Sequence, residues 1–431
     1  MPKAGDALTG REWNFLLGLQ RQALSYFIDN QAANGLVLDR QRNHGPLRLQ
    51  GLCSTAATGM GFVALALASA DPYRLLSRPA AFNRLKAGFH AILDRLPHDR
   101  GVIPHFIESA SGEIRGSDYF STVETAWVAA GALWAAAFLE DPGLEQLASG
   151  LYERLDWHYW TAANSERPGL LRHGKDRSGK FLPWCWDRLN GETAFMYVLA
   201  AGASEEKAVC STSWTTLQPC YGTVAGHRFN NADLGLFVFQ YGLDLLDLER
   251  WRAPGEVDLL VEAELATRAN HQACRHAAEN FMTYRRFWGL SAGDGPGDSL
   301  DEDSYRCYSP VGPIDGTAHL TATLASIAYE TEAVLHNLQE AQEDHSLNIR
   351  GRYGFSNVNL DRAWVGRDMV GIDMGAAVLA LDNFLSQNRV RAVFQQLPCV
   401  RRGLERLRFQ PKVASAAARP EVAEAPLRRA S

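Results

Sequence analysis

Long basic runs are absent from this chain of 431 residues. Beyond short Arg-Arg pairs such as those at Arg401 and Arg428, its 43 basic side chains are scattered among 49 acidic ones, giving a formal charge of −6. That balance excludes a nucleic-acid partner held by a basic face. Apolar stretches approaching the ~18 residues of a membrane span are missing, and the opening MPKAGDALTGREWNF lacks the charged-then-apolar order of a signal peptide. The expectation is a cytoplasmic protein with no membrane partner, or a periplasmic one had a leader been removed. Cysteine is scarce: Cys53, Cys185, Cys210, Cys220, Cys274, Cys307 and Cys399 are odd in number and form no CxxC pair. Reduced, mostly buried thiols are predicted. The motifs GxGxxG, GxxxxGK[ST], GxSxG and HExxH are also lacking, which leaves nucleotide, acyl-transfer and zinc-hydrolase chemistry without support.

What is present is apolar recurrence at helical spacing, in segments separated by Gly, Pro and Asp clusters. The segments fall near residues 12–33, 54–70, 79–97, 120–140, 144–162, 190–203, 231–248, 257–285, 318–349 and 374–408. Alternation of period two is nearly absent, so no large sheet is expected. Ser54-Thr55 and Ser121-Thr122 read as helix starts, and Asp141-Pro142 as the close of the second of these helices. Ala-rich, Gly-interrupted segments such as TAATGMGFVALALAS and TAWVAAGALWAAAF allow close helix crossings and suit the inner ring of a helical barrel. No linker divides the body, so residues 1–410 are expected to form one domain. Residues 411–431, rich in Ala and Pro, are expected to form a disordered tail.

The long inter-helix loops place acidic residues among Trp, Tyr and His. Aromatic faces stack on the apolar face of a pyranose, while carboxylates bind hydroxyls and move protons. Hydrolysis of a glycoside needs one carboxyl to protonate the leaving oxygen and another to activate water or attack. The candidates are Glu108, Asp118, Glu124, Glu192, Asp294, Asp315 and Asp373, and spacing alone does not rank them. Glu192 and Asp373 both sit at helix starts, where a carboxylate also serves the helix dipole or a cap. Trp184, Trp186, Trp288 and Tyr305 are the stacking candidates, whereas Trp127 and Trp134 lie on Ala-rich helices and read as core. His271, Cys274 and His276 fall on one helical segment where only the first two share a face, so no metal site is expected there. Arg306 and Arg367 are available to bind hydroxyls, though for most arginines a solvated surface role is the simpler reading.

The blocks NGLVLDR, CSTAATGMGF, STVETAWVAAGAL, WDRLNGETAFMYVLAAG, FWGLSAGDGP, DGTAHLTATLASIAY, YGFSNVN and GIDMGAAVLALDNF occur in that order between residues 34 and 384. In this the chain resembles the glycoamylase-like family, with ordered motifs over roughly residues 12–409. That family includes the bacterial β-1,2-glucanases of glycoside hydrolase family 144 and is similar to the transglycosylating central domain of cyclic β-1,2-glucan synthases. The resemblance implies an all-α (α/α)6 barrel of about twelve helices, without metal or organic cofactor, that cleaves β-1,2-glucan or its oligosaccharides with inversion. It implies Glu192 as general acid and Asp373 as the water-activating base. It further implies a sugar site drawn from Asp39, His105, Asp118, Glu124, His173, Trp184, Trp186, Trp288, Asp294, Tyr305 and Asp315.

Three departures stand out. Glu124 is one methylene longer than the family's acidic residue, His319 replaces a small apolar residue, and the segment DGPGDSLDEDSYRCYSP is unusually acidic. A change of substrate length or linkage is therefore expected. A retaining transglycosylase and a non-catalytic glycan-binding barrel remain the alternatives, and the oligomeric state stays open.

Overall fold

The computed structural model describes residues 8–162, 168–299, 302–344 and 346–412. The predicted tail lies outside them except for its first two residues: Gln410–Pro411 pairs with Trp251–Arg252, and the Lys412 amide donates to the Arg250 carbonyl at 2.7 Å. A disordered tail would therefore begin no earlier than residue 413.

Thirteen α-helices occur among the described residues: α1 (Gly10–Asn30), α2 (Thr55–Leu67), α3 (Arg78–His90), α4 (Thr122–Leu139), α5 (Pro142–Glu153), α6 (Gly191–Ala201), α7 (Ser213–Thr216), α8 (Leu259–Ala277), α9 (Leu320–Ala325), α10 (Thr331–Glu343), α11 (Gly371–Leu385), α12 (Arg389–Gln396) and α13 (Pro398–Arg406). The strands form only two- and three-stranded sheets at the loops, in line with the missing period-two signal.

Burial separates the helices into two kinds. In α2 every residue is buried, and α4, α6, α9 and α11 are buried over most of their length. Their Ala, Gly and Leu content leaves no polar face to solvate, so each must be covered on all sides. α1, α5, α8 and α10 instead bury one stripe and wet the other. The buried elements touch in a cycle: α2 on α4, α4 on α6, α6 on the 3-10 turn Leu236–Phe239, that turn on α9, α9 on α11, and α11 on α2.

The crossing of α2 on α4 is among the closest. A Cβ on Gly131 would lie 1.9 Å from the Gly59 carbonyl oxygen, and one on Gly59 would lie 2.3 Å from that of Trp127. Glycine here is a requirement of backbone approach. By length and composition α4 could cross a membrane, but 83% of it is buried inside the protein, the state of a core helix.

Several sequence expectations are corrected. Residues 231–248 are not a helix but turns around Leu236–Phe239. Gly242 has φ +83°, and a Cβ there would sit 2.2 Å from the Gly191 carbonyl oxygen. Residues 318–349 divide into α9 and α10, and 374–408 divides at left-handed Asn388 and at Pro398. α4 ends at Leu139, just before Asp141-Pro142 as expected, but Asp141 serves the next helix: it caps α5, accepting from the amides of Gly143 and Leu144 at 2.9 and 3.0 Å. Cys53, Cys274 and Cys399 are buried, whereas Cys210, Cys220 and Cys307 are exposed.

Candidate active site

The starts of the buried helices carry the candidate catalytic carboxyls. Asn190 caps α6 by accepting from the Thr193 amide at 2.9 Å, which sets Glu192 in the first turn. Val370 precedes α11, and the Gly371 amide donates to the Asp39 carbonyl at 2.6 Å. That bond, with the antiparallel pairing of Arg40–Arg42 and Asp368–Val370, fixes the turn bearing Asp373. Asp373 is therefore not the cap of its helix. Glu124 lies in the first turn of α4, beyond Ser121, whose hydroxyl donates to the Glu124 carboxylate instead of capping the helix.

Each of the two expected catalytic carboxyls hangs from a buried aromatic donor. The Trp127 indole N–H donates to Glu192 Oε1 at 2.9 Å, and the Tyr241 hydroxyl donates to Asp373 Oδ1 at 2.7 Å. The two rings meet edge to face, with centroids 6.4 Å apart. Trp127 is buried as expected of a core residue, but its polar edge serves Glu192. Trp127 was read from the sequence only as core and Tyr241 was not singled out, because an indole on an Ala-rich helix and a tyrosine in an apolar run look like packing.

Both carboxyls are moved to about 7. For Glu192 the largest cause is burial, opposed by the Trp127 bond and reinforced by the charge of Glu124. For Asp373 it is again burial, opposed by the Tyr241 bond and reinforced by Asp294 and Asp39, with Arg40 pulling down.

Around Glu192 a chain of three groups forms. His105 Nδ1 meets the Asp118 carboxylate, and His105 Nε2 lies 3.3 Å from Glu124 Oε1. Burial acts to lower the His105 pKa, but Glu124 and Asp118 outweigh it and hold the ring at about 9. At neutral pH it is an imidazolium with both nitrogens committed to carboxylates. Asp118 answers in kind: burial pushes it upward, and its bond to His105 brings it below the ordinary range. The three side chains offer ligand atoms within 4.8 Å of one another. With the ring protonated and bridged on both sides, this set suits an internal ion pair better than a metal.

Around Asp373 lie Asp39, Asp294 and Tyr305. Arg40 links the first two, its Nη1 2.9 Å from Asp294 and its Nε 3.5 Å from Asp39. Asp294 and Tyr305 face each other on the hairpin Ala292–Pro296 and Asp303–Cys307. Tyr305 is exposed, and its hydroxyl feels the charges of Asp373, Asp39 and Asp294.

A cavity of about 610 Å³ opens beside Glu192, walled by His173, Trp184, Trp186, Arg188, Asn190 and Phe237 among others. Trp184 is 61% exposed, a free aromatic face. Trp186 is held flat against His173, with ring centroids 3.9 Å apart, and its indole N–H donates to Thr122 Oγ1 at 3.0 Å.

Of the expected sugar-site residues, His173, Trp184 and Trp186 line this cavity, Asp39, His105, Asp118, Glu124, Asp294 and Tyr305 belong to the groups around the two carboxyls, and Trp288 and Asp315 join neither set. Trp288 is buried with its ring stacked on His271. Asp315 is consumed by Arg306 at 2.9 Å, the Tyr308 hydroxyl at 3.0 Å and the Thr317 amide at 3.0 Å, bonds that brace the loop behind the hairpin. Arg306 is likewise committed. His319, one of the departures, is fully packed against Tyr308 and the Gly289 carbonyl, and burial lowers its pKa to about 4. It is an interior residue and not part of the cleft wall.

Removing the phenolic donor should show directly in a pH profile. In Tyr241→Phe the ionised form of Asp373 loses a charge-assisted hydrogen bond of about 1.5–3 kcal/mol. Its pKa should rise, moving the acid limb of activity up by about one to two pH units. An unmoved acid limb would separate Asp373 from that limb.

The geometry is that of a helical protein with one buried carboxyl, Glu192, lining an aromatic-walled cavity and a second, Asp373, held at the start of α11, an arrangement suited to glycoside processing. The chain belongs to the Glycoamylase family, described as Putative glucoamylase, whose model matches residues 183–398. Among solved structures, it is similar to an endo-β-1,2-glucanase from Chitinophaga pinensis in complex with sophorotriose and glucose. That match has a TM-score of 0.81 and 20% identity, covering 94% of this chain and 99% of that one. A putative glucoamylase from Bacteroides uniformis matches with a TM-score of 0.80 and 20% identity, covering 94% and 99%. An endo-β-1,2-glucanase from Talaromyces funiculosus with sophorose gives a TM-score of 0.60 at 12% identity, covering 89% and 90%. No curated protein matches the chain.

Proposed function

We propose that the chain is a glycoside hydrolase that cleaves β-glucan, with β-1,2-linked glucan or its oligosaccharides as substrate, by an inverting two-carboxylate mechanism. The observation that carries the reading is the pair Glu192 and Asp373, each at a helix start and moved to about 7, with Glu192 lining the aromatic-walled cavity. The named activities of the Chitinophaga and Talaromyces structures support the choice of linkage. The cyclic packing of α2, α4, α6, the Leu236–Phe239 turn, α9 and α11 supports a single (α/α)6 barrel with one inner position unwound.

In this reading Glu192 enters protonated and gives its proton toward the leaving oxygen, while ionised Asp373 draws a proton from the attacking water. Trp184 supplies a stacking face for a pyranose. Asp39 and Asp294, paired through Arg40, hold sugar hydroxyls and keep a negative field on Asp373. The His105 imidazolium is too fully engaged to bind sugar. Its role is to keep Glu124 and Asp118 placed beside the acid.

Linear β-1,2-glucan, with β-1,3-, β-1,4- and β-1,6-glucans in parallel, tests the proposal by chromatography and by proton NMR of the first-formed anomer. Release of short β-1,2-oligosaccharides as the α-anomer is expected. Retention of the β-anomer, or longer and cyclic chains, would establish transglycosylation instead. Because both carboxyls titrate near 7, kcat/KM should follow a narrow bell centred near neutrality. It should fall below that pH as Asp373 gains a proton and above it as Glu192 loses one. A flat profile from pH 5 to 9 would contradict the assignment.

A further inference from the structure

On the outer side of the fold, α8, the segment Tyr284–Trp288 and α10 enclose a second cavity of about 520 Å³. It shares no lining residue with the cavity at Glu192. Its walls carry five basic side chains, His271, Arg275, Arg285, Arg286 and His336, and no carboxylate. This concentration occurs in a chain whose formal charge is −6, so it runs against the overall field.

The charges are unevenly matched. Arg286 is neutralised by Glu340 and Asp344, at 2.8 and 2.6 Å. Arg285 donates only to the Ala278 carbonyl, at 3.1 Å, and has no carboxylate partner among the described residues. The Arg275 guanidinium has no hydrogen bond or ion pair to any described residue, although it lines the cavity. His271 is held with its ring against Trp288, centroids 4.8 Å apart. Its pKa is lowered by burial and, further, by Arg275 and His336 facing it. Like charges gathered around one concavity repel unless an anion lies between them. Guanidinium forks are also the groups best shaped to grip a tetrahedral or planar oxyanion with paired N–H donors.

We propose that this cavity is a binding site for a small oxyanion, a phosphate group either free or carried on a sugar, gripped by Arg275 and Arg285 with His271 and His336 completing the wall. The Trp288–His271 stack is then the rigid back of this site, which gives the buried tryptophan a role away from the glucan cleft. The site stands independently of the hydrolase reading, since none of its residues reaches Glu192 or Asp373.

Isothermal titration of the full chain with inorganic phosphate, with glucose 6-phosphate and with glucose tests it. Saturable phosphate binding is expected, unchanged in Glu192→Gln and weakened about tenfold or more in Arg275→Gln/Arg285→Gln, a loss of about 1.4 kcal/mol. Arg11→Gln, the single-charge control at an exposed position of α1 matched to Arg275→Gln, should leave it intact. Tighter binding of glucose 6-phosphate than of phosphate would identify a sugar-borne group; equal binding would identify the free anion. Absence of saturable binding by both anions would overturn the proposal. So would binding that survives the double variant, or that Arg11→Gln weakens equally. Circular dichroism of the double variant shows whether lost binding reflects the site or lost folding, and since both arginines are exposed, a single Arg275→Gln variant supplies the same comparison with less perturbation.

Discussion

Glu192→Gln should lose a factor on the order of 10² to 10⁴ in turnover while becoming more resistant to unfolding at pH 8. The activity loss follows from removing the proton that the leaving oxygen requires. The gain in stability follows from the same environment that tunes the group. In the fold Glu192 titrates at about 7, against an ordinary value of 4.5. A carboxyl whose folded pKa is raised favours the folded state in its protonated form. That advantage is full below the unfolded pKa and is lost as pH rises through the folded one. Above pH 7 the ionised carboxylate therefore costs up to about 3 kcal/mol relative to its protonated form, less whatever the open cavity screens. Glutamine keeps an oxygen for the Trp127 donor and never ionises. The melting temperature should rise relative to the parent at pH 8 and differ little at pH 4. Equal stability at both pH values would mean that Glu192 is not held in the desolvated state its position gives it.

Gly131→Ala should destabilise the fold by about 3 kcal/mol or more, without touching any group of the site. The added methyl would be driven to 1.9 Å from the Gly59 carbonyl oxygen. Both are backbone positions in fully packed helices, so neither can yield by a change of rotamer. Separating α2 from α4 would also break the contact of α4 with α6, and so reach the Trp127 donor indirectly. The denaturation midpoint reports the first effect and residual activity the second. A variant as stable as the parent would mean that the two helices cross less closely than 1.9 Å implies.

Much of the helical framework was legible because its signals are local. The Ala-rich runs of α2 and α4 and their starts at Ser54 and Ser121 are decided by neighbours in sequence. The run at 231–248 was misread for a non-local reason. Its apolar spacing is that of a buried helix, but Gly242 must pass against Gly191, and no periodicity records that approach. The site followed the same division. Glu192 and Asp373 were visible as acidic residues at helix starts and were assigned by the resemblance. The donors that hold them were not, because Trp127 and Tyr241 lie 65 and 132 residues from their partners. Trp288 and Asp315 had the right chemistry for a sugar, but tertiary packing spends them elsewhere.

The edge-to-face contact of Trp127 with Tyr241 has a consequence for how such a site can change over generations. The proposed acid and base are suspended from a common aromatic wedge, so a smaller ring at either position withdraws lateral support from the other. Substitutions at the two positions should not be independent: the cost of the double change should differ from the sum of the single costs. A lineage drifting toward a different glycosidic linkage would find neither ring free to vary alone. Its accessible route passes through paired replacement, or through the outer loops that never touch the wedge.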